Sequence, residues 1–478
     1  MSFNSIDYLL FFTAVLCGYW LLPRRGQNIF LLAASYFFLC YVHPWFGLLI
    51  FGVSLVNYAS GLAMAKWPAR KKIFLLLALA LSLGDLACFK YASFFLDNVA
   101  ALLELFHIPF SRPALQIMLP VGISFYTFQA IAYTIDVYRG NTGPCRDPLD
   151  FFLFISFFPQ LVAGPIERSR NLLPQIQNSR RISPEQVQQG ILLLLWGFFK
   201  KLVIADNTGV IAYKVFSLTD PGFFLLWSGV LAFGIQILAD FWSYTDIARG
   251  SALLMGFRLS RNFDHPYFSR SPADFWRRWH MTLSYWLRDY VYIPLGGSRS
   301  PSSLRRGANI MITFLLSGLW HGASWNFVLW GGYHGVLVLF DRLWRKIFSP
   351  FRDLLPARLR TPVLVLKIIG TFILVHIGWL LFRETDTGML LGYLQLSPWA
   401  SSPEDNRIAL YLCCLTLLYS LPIFLHGLIY FQDQRIRGLQ EEYARPLLLL
   451  RPVLGAVLLL GILTIRSPEP ATFIYFQF

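Results

Sequence analysis

The sequence has few charged residues and no long polar connection. Only 14% of its 478 residues are charged and 56% are hydrophobic, whereas soluble domains have roughly 25% charged and 45–50% apolar residues. The longest polar connections run to about 15–25 residues, which is far shorter than a soluble domain. The composition therefore predicts a polytopic membrane protein consisting of one membrane domain, residues 1–478, rather than a soluble protein.

Cysteine is scarce, and the motifs of several enzyme classes are missing. The six cysteines are scattered without a CxxC pair, which argues against a disulfide framework and against a zinc site. No GxSxG elbow, P-loop, HExxH or GxGxxG stretch occurs in the chain, so nothing indicates a serine hydrolase, a nucleotide-binding enzyme or a zinc protease. We accordingly expect no bound cofactor and no metal. The first apolar segment lacks a basic start and a cleavage site, which is typical of a retained helix.

Basic residues outnumber acidic ones, with 41 Lys and Arg against 26 Asp and Glu. They cluster between apolar runs, and the positive-inside rule then predicts cytoplasmic loops. A polybasic surface on anionic lipid would use the same residues and remains an alternative. The clusters are PRRGQ (23–27), KWPARKK (66–72), RSRN (168–171), SRR (179–181), KK (200–201), SRSPSSLRR (298–306), WRK (344–346) and QRIR (434–437).

Long apolar runs fill most of the chain. About 20 apolar residues cross a bilayer as a helix, and on that basis we predict about eleven to thirteen transmembrane or re-entrant helices. The predicted spans are 7–22, 28–42, 46–64, 73–96, 116–137, 150–164, 187–205, 222–239, 308–322, 324–344, 362–382, 407–430 and 447–465.

Residues 240–300 differ from these spans because charges interrupt their apolar runs. From Asp274 the pattern is helical, with Trp276, His280, Leu283 and Leu287 on one stripe. Ser271 and Pro272 before Asp274 are typical of a helix start. Such a basic amphipathic helix is expected to lie in the membrane interface or to dip into the protein.

Three polar groups in apolar surroundings are candidates for chemistry. His321 lies in SGLWHGASWNF, where Gly318 and Gly322 form a small-xxx-small pair that predicts close helix packing. His280 is the second candidate. The third is DFWSYTDIARG, which contributes Asp240, Tyr244, Thr245, Asp246 and Arg249.

Two buried histidines suit proton transfer. Burial lowers the pKa of histidine below its usual value of about 6.5, so the imidazole is neutral and can accept a proton. A general base for a hydroxyl that attacks an acyl carbon needs that state.

Structural alternatives stay open at each of these positions. His321 could be a hydrogen-bond partner between helices, His280 an interfacial anchor beside Trp279, and His334 a packing residue. The charges at 240–249 could form an intramembrane ion-pair network. For the remaining histidines, which fall near span ends or in loops, a solvated role is the default: His43, His107, His265, His376 and His426.

Two histidine motifs resemble those of a known family. WRRWHMTLSYWLRDYVYIPLGGSR and FLLSGLWHGASWNFVLWGGYHG are similar to the paired motifs of the membrane-bound O-acyltransferases, in particular of the bacterial branch that contains alginate O-acetylases. FFPQLVAGPIERS, LADFWSYTDIARG, the start MSFNSIDYLLFF and the closing FIYFQF extend the likeness over most of the chain.

The resemblance implies a bundle of helices around a central funnel or tunnel, with residues 240–345 carrying the catalytic core. It implies that His321 is the general base or the group that orients the acceptor hydroxyl. It also implies that His280 is the second catalytic histidine, which completes the relay or positions the donor. The predicted substrate-binding residues are Asp240, Tyr244, Asp246, Trp279, Trp320 and Asn326.

The function implied by the resemblance is transfer of an acyl group, acetyl in this branch, across a bacterial inner membrane. The donor would be a cytoplasmic thioester such as acetyl-CoA, and the final acceptor an exported polysaccharide such as alginate. Periplasmic or membrane-anchored acetyltransferase partners would complete the transfer. Two alternatives remain: a proton-coupled transporter or flippase that uses the intramembrane His and Asp residues, and an acyltransferase acting on a protein or lipid hydroxyl.

Overall fold

The part of the chain that the structure describes is helical. The structure is a computed structural model that describes residues 1, 3–110, 118–348, 356–437, 444–468 and 473–474, with the backbone alone for 357, 432–437 and 444–451. Every regular element in these ranges is a helix, so the predicted all-α fold class is confirmed. The first two residues of the predicted span 116–137 and residues 475–478 of the closing FIYFQF lie outside the described residues.

Two compact units divide the chain. The first comprises Met1–Ile191 and Ile247–Ser260. Buried polar side chains join its helices, because Asn57 donates a hydrogen bond to Ser82 Oγ at 2.8 Å and accepts one from Thr134 at 2.6 Å. Its helices are α1 (Ile6–Trp20), α2 (Arg24–Cys40), α3 (Phe46–Lys66), α4 (Lys71–Leu86), α5 (Ala92–Leu105), α6 (Ile123–Arg139), α7 (Pro148–Ser156), α8 (Phe158–Leu161) and α9 (Ser169–Gln177).

The second unit comprises Leu192–Asp246 and Arg261–Phe478. Two helices, α10 (Pro184–Phe199) and α12 (Phe223–Leu254), each have residues in both units. The other helices are α11 (Asp206–Phe216), α13 (Pro272–Phe275), α14 (Met281–Leu287), α15 (Ser303–His321), α16 (Trp325–Phe348), α17 (Ala357–Arg383), α18 (Thr387–Gln395), α19 (Pro403–Arg437) and α20 (Ala444–Ile465).

Six stretches of the described residues are helical, apolar and long enough to cross a membrane. Large hydrophobic side chains such as Leu410 and Leu418 of α19 are about two thirds exposed, at 66% and 64%, as expected of side chains that face lipid. The protein is therefore a multi-pass membrane protein. The stretches are Phe46–Lys66, Pro68–Leu105, Pro184–Phe216, Phe223–Leu254, Arg358–Arg383 and Pro403–Phe431.

Several predicted spans have different bounds in the structure. The span predicted at 150–164 is the two short helices α7 and α8, because the backbone leaves the helical region at Phe157 with ψ 107° and Pro159 follows. The span predicted at 187–205 continues to Phe216, since a π-helical stretch at Lys200–Ala205 joins α10 to α11.

Candidate active site

A tight turn places His280 directly before α14. Its backbone is left-handed, with φ 41° and ψ 54°, and its side chain is 1% exposed. Asn262 holds the turn from the other side: its carbonyl accepts the Met281 N–H at 2.9 Å and its Oδ1 accepts the Thr282 hydroxyl at 2.6 Å. A non-glycine residue in this conformation is strained, and such strain persists where the surroundings enforce it.

The prediction of one continuous helix from Asp274 is wrong. Its start is confirmed, because α13 begins at Pro272 and the Asp274 N–H donates to Ser271 Oγ at 3.3 Å. The helix nevertheless ends at Phe275, and a new helix begins only after the left-handed His280. The predicted stripe of Trp276, His280, Leu283 and Leu287 therefore does not lie on one helix. The turn, and not helical periodicity, fixes where the His280 imidazole lies.

His321 is the last residue of α15 and is 4% exposed. The close helix packing predicted for the pair Gly318 and Gly322 is confirmed, and the neighbouring helix is α16. A Cβ at Gly318 would overlap the carbonyl oxygen of Phe327 and lie 3.3 Å from the Gly331 Cα. Gly322 follows the end of the helix with φ −164° and meets the ring of Phe327. The end of α15 is therefore held against α16 at the position of His321.

Trp320 contacts both histidines. Its ring centroid is 5.6 Å from that of His280 and 5.0 Å from that of His321, with the rings near perpendicular in both pairs. Phe241 of α12 covers His280 at 4.7 Å, and Trp330 covers His321 at 5.0 Å. The structure thus brings together the two histidines that the sequence singled out, although they are 41 positions apart in the chain.

The surroundings of His280 keep its ring in the neutral form. The second unit packs aromatic rings around both imidazoles, and burial lowers the pKa of His280 to about 3. The ring is consequently neutral at neutral pH and can exchange a hydrogen bond without carrying charge. A buried aromatic site with a neutral His280 imidazole suits a hydrogen bond to a reacting group.

Two further predicted site residues lie beside this pair. Asn326, which is fully buried, donates from Nδ2 to the carbonyl of Phe382 at 3.1 Å. Its Oδ1 is buried and accepts no hydrogen bond from the described residues. Phe382 in turn contacts the His321 ring at 5.4 Å. Trp279 packs its ring 4.7 Å from that of Trp379, which in turn lies 5.7 Å from the Phe382 ring.

Asp240 and Asp246 form ion pairs with buried lysines. The Lys200 ammonium lies 2.6 Å from the Asp246 carboxylate, and Lys201 lies 2.8 Å from both Asp240 and Asp206. All five side chains are at most 4% exposed. The structure therefore contains the intramembrane ion-pair network that the sequence left as an alternative. A substrate-binding role for Asp240 and Asp246 stays a prediction.

The end of the described chain also contacts this network. The Ile474 N–H donates to Asp240 Oδ2 at 2.7 Å, and the Phe473 ring stacks on Tyr244 at 4.2 Å. Because Phe241 follows Asp240 and covers His280, one turn of α12 contacts the closing segment, Lys201 and His280. The substrate-binding role predicted for Tyr244 stays a prediction.

Lys200 and Lys201 are not among the site residues predicted from the sequence. KK (200–201) was interpreted as a cytoplasmic loop, which is wrong, since both side chains are buried in the π-helical stretch between α10 and α11. The signal is present: the pair stands in ILLLLWGFFKKLVIA, a run that is otherwise apolar. Charges at such a depth are expected to be paired.

Two other histidines are more buried than the sequence indicated. The solvated role taken as the default is wrong for His265 and His376, which are each 4% exposed. His265 shares the left-handed backbone of His280, with φ 49°, and its ring lies 5.1 Å from that of Trp242. His334, for which packing was the alternative, is 1% exposed and contacts the Trp330 ring at 4.9 Å.

Comparison with known proteins identifies the family to which the chain belongs. Residues 146–381, which include both histidines, match the sequence profile of the membrane-bound O-acyltransferase family. A probable alginate O-acetylase of Azotobacter vinelandii is 37% identical over 94% of this chain and 87% of its own length. The chain belongs to the membrane-bound O-acyltransferase family. The resemblance noted in the sequence is thereby confirmed, and the protein is an acyltransferase.

Other members of the membrane-bound O-acyltransferase family are similar along most of their length. A probable alginate O-acetylase of Pseudomonas aeruginosa is 40% identical over 91% of this chain and 83% of its own length. A peptidoglycan O-acetyltransferase of Helicobacter pylori is 32% identical over 89% of this chain and 87% of its own length. Family membership favours the acyltransferase over the transporter or flippase that the sequence left open.

Proposed function

We propose that the protein moves an acetyl group from a cytoplasmic thioester donor, such as acetyl-CoA, for O-acetylation of an exported polysaccharide such as alginate. The acetyl group is passed on through periplasmic or membrane-anchored acetyltransferase partners, and the protein resides in a bacterial inner membrane. Relatives named alginate O-acetylase, which cover most of the chain, support the acetyl group and the polysaccharide.

The observation that carries the chemistry is the pair of buried histidines that both contact the Trp320 ring. As the acceptor oxygen attacks the thioester carbonyl carbon, His321 takes the hydroxyl proton. The C–S bond then breaks, and the proton passes to the thiolate as coenzyme A leaves as a thiol. His280 has a pKa of about 3 and is therefore a weak base. Its neutral ring instead orients the donor by a hydrogen bond.

The test is transfer of labelled acetyl from acetyl-CoA in membranes that contain the protein and its periplasmic partner. We compare wild type with His321→Asn and His280→Asn at equal amounts of folded protein. Asparagine tolerates the left-handed backbone of His280, so this change removes the imidazole without adding strain. His107→Asn is the matched control, because His107 is exposed and also left-handed, with φ 56°.

We expect His321→Asn to reduce transfer by about 100-fold or more, within the range of lost general-base catalysis. His280→Asn raises KM for the donor, and His107→Asn leaves the rate unchanged. Equal activity of wild type and His321→Asn would contradict the proposed mechanism. Supplying a polysaccharide, a peptide and a lipid in turn as the acceptor distinguishes the proposed acceptor from a protein or lipid hydroxyl.

A further inference from the structure

A groove on the second unit has no role in the chemistry described above. It has a volume of about 830 Å³ and runs between α11 and α19, with the start of α12 at its floor. Leu225, Ile211 and Leu412 line its interior, and Leu225 belongs to a buried cluster with Val215 and Ala409. Grooves of this size and character bind small apolar molecules.

The groove is long enough for an acyl chain. It extends along α19 from Asp405 to Tyr419, which corresponds to about 21 Å of helix. One leaflet of the hydrocarbon core is about 15 Å deep. Only 22% of the most apolar stretch of α19 is buried, so the outer side of this helix faces lipid. The groove is therefore in direct contact with the acyl chains of the bilayer.

One end of the groove carries charges of both signs. Lys214 near the end of α11, Asp220 in the following turn and Asp405 near the start of α19 all line it. Lys214 and Asp220 are exposed, and none of the three forms an ion pair with another described residue. The Asp405 carboxylate lies against Gly222, where a Cβ would be 2.6 Å from Oδ2.

This charged end lies at the level of the membrane surface. It is formed where α19 begins, a few residues after Trp399, whose side chain is 95% exposed. Tryptophan is enriched at the interface between water and hydrocarbon, which is also where lipid headgroups lie. The polar end of the groove therefore faces headgroups, and its apolar length faces acyl chains.

We propose that this groove binds a phospholipid with an ethanolamine headgroup. An acyl chain lies between α11 and α19, the lipid phosphate pairs with Lys214, and the ammonium group pairs with Asp405 and Asp220. Phosphatidylglycerol is anionic and has no cation in its headgroup, so the two carboxylates of the groove would have no positive group of the lipid to pair with. A choline headgroup has no N–H to donate to the carboxylates. The charges of the groove thus match phosphatidylethanolamine better than either of the other two lipids.

The experiment is native mass spectrometry of the full chain, released from detergent that contains equal amounts of phosphatidylethanolamine, phosphatidylglycerol and phosphatidylcholine with identical acyl chains. We expect at least fivefold more bound phosphatidylethanolamine than either competitor. Lys214→Gln and Asp405→Asn each lower this ratio at least threefold. The neighbouring exposed changes Arg407→Gln and Glu404→Gln, which lie outside the groove, leave it unchanged.

A second pair of variants tests the apolar part. Ile408 lines the groove and Leu410 does not, although both are exposed on α19. Ile408→Trp places an indole in the groove and is expected to lower selective lipid binding at least threefold, whereas Leu410→Trp keeps it. Equal binding of the three lipids by wild type overturns the proposal, as does an unchanged ratio in Lys214→Gln and Asp405→Asn. Selective binding that persists in a folded, monodisperse Ile408→Trp variant places the lipid elsewhere and also overturns it.

Discussion

The close contact between α15 and α16 is expected to fix the position of His321, so that separating the two helices should displace this histidine. In Gly318→Ala, the new methyl group would overlap the Phe327 carbonyl oxygen. A Cβ does not approach another heavy atom closer than about 3.0 Å, so the two helices must move apart by about 1 Å. His321 lies one turn further along α15 and moves with it.

The expected magnitude follows from two opposing effects. Alanine is a better helix former than glycine by about 1 kcal/mol, so the substitution would stabilise α15 if there were space. Overpacking costs about 1–3 kcal/mol, which cancels or exceeds that gain. A 1 Å misplacement of a catalytic group can cost about 100-fold in rate. We therefore expect acetyl transfer to fall by roughly 10- to 100-fold, with a small change in thermal stability.

The matched control is Gly332→Ala in the same pair of helices. A Cβ there meets only a Leu315 methyl group at 3.7 Å, an ordinary contact, so this variant gains helix propensity without a clash. Both variants are assayed for acetyl transfer from labelled acetyl-CoA in membranes and for thermal unfolding in detergent. If Gly318→Ala were as active as Gly332→Ala, the close contact would not be needed to place His321, and the reasoning would be refuted.

Three further predictions concern the buried polar groups. Lys201→Met leaves two buried carboxylates without their ammonium partner and is expected to cost about 3–5 kcal/mol of folding free energy. Its unfolding temperature should therefore be much lower than that of the exposed control Lys66→Met, and equal temperatures would contradict this prediction. His280 has a pKa of about 3 in the folded state and of about 6.5 in the unfolded state. Between these two pH values only the unfolded chain binds the proton, so the free energy of unfolding falls by up to about 1.4 kcal/mol for each pH unit by which the pH is lowered. His280→Asn should reduce this slope in unfolding measured between pH 7 and 5, and an unchanged slope would speak against a buried neutral ring. Asn262→Ala removes the acceptor of the Thr282 hydroxyl and is expected to lower kcat for acetyl transfer while folding is retained, whereas Thr282→Val alone should have a smaller effect; the reverse order would show that Asn262 does not hold the turn.

Local signals in the sequence were sufficient for the helical class and for the two histidines. Ser271 and Pro272 predicted the start of α13, because a cap and a proline at the first turn act over three residues. The close packing at Gly318 was likewise predictable, since a glycine between apolar residues permits it. These features depend on neighbours in the chain.

The remainder depends on contacts between distant residues. The partner of Gly318 is Gly331, and only the packed pair of helices shows it. Helical periodicity placed His280 on a stripe, yet the loop residue Asn262 enforces a left-handed turn there. The basic pair at Lys201 indicates a loop in the sequence, whereas the structure pairs this lysine with Asp240 of another helix as well as with the nearby Asp206. Charge clusters therefore mispredict topology where opposite charges meet inside the bundle.

The ion pairs of Lys200 and Lys201 also bear on how the chain enters the membrane. The lysines lie near the middle of Pro184–Phe216. Of their partners, Asp240 lies near the middle of Phe223–Leu254 and Asp246 lies six residues further along it. A lysine or an aspartate at the centre of a lone helix costs about 2.5–3.5 kcal/mol during insertion by the translocon. Inserted one after the other, these two helices would each expose uncompensated charge to lipid. Insertion together as a hairpin lets opposite charges neutralise each other before either meets hydrocarbon, so the two segments behave as a single unit of biogenesis.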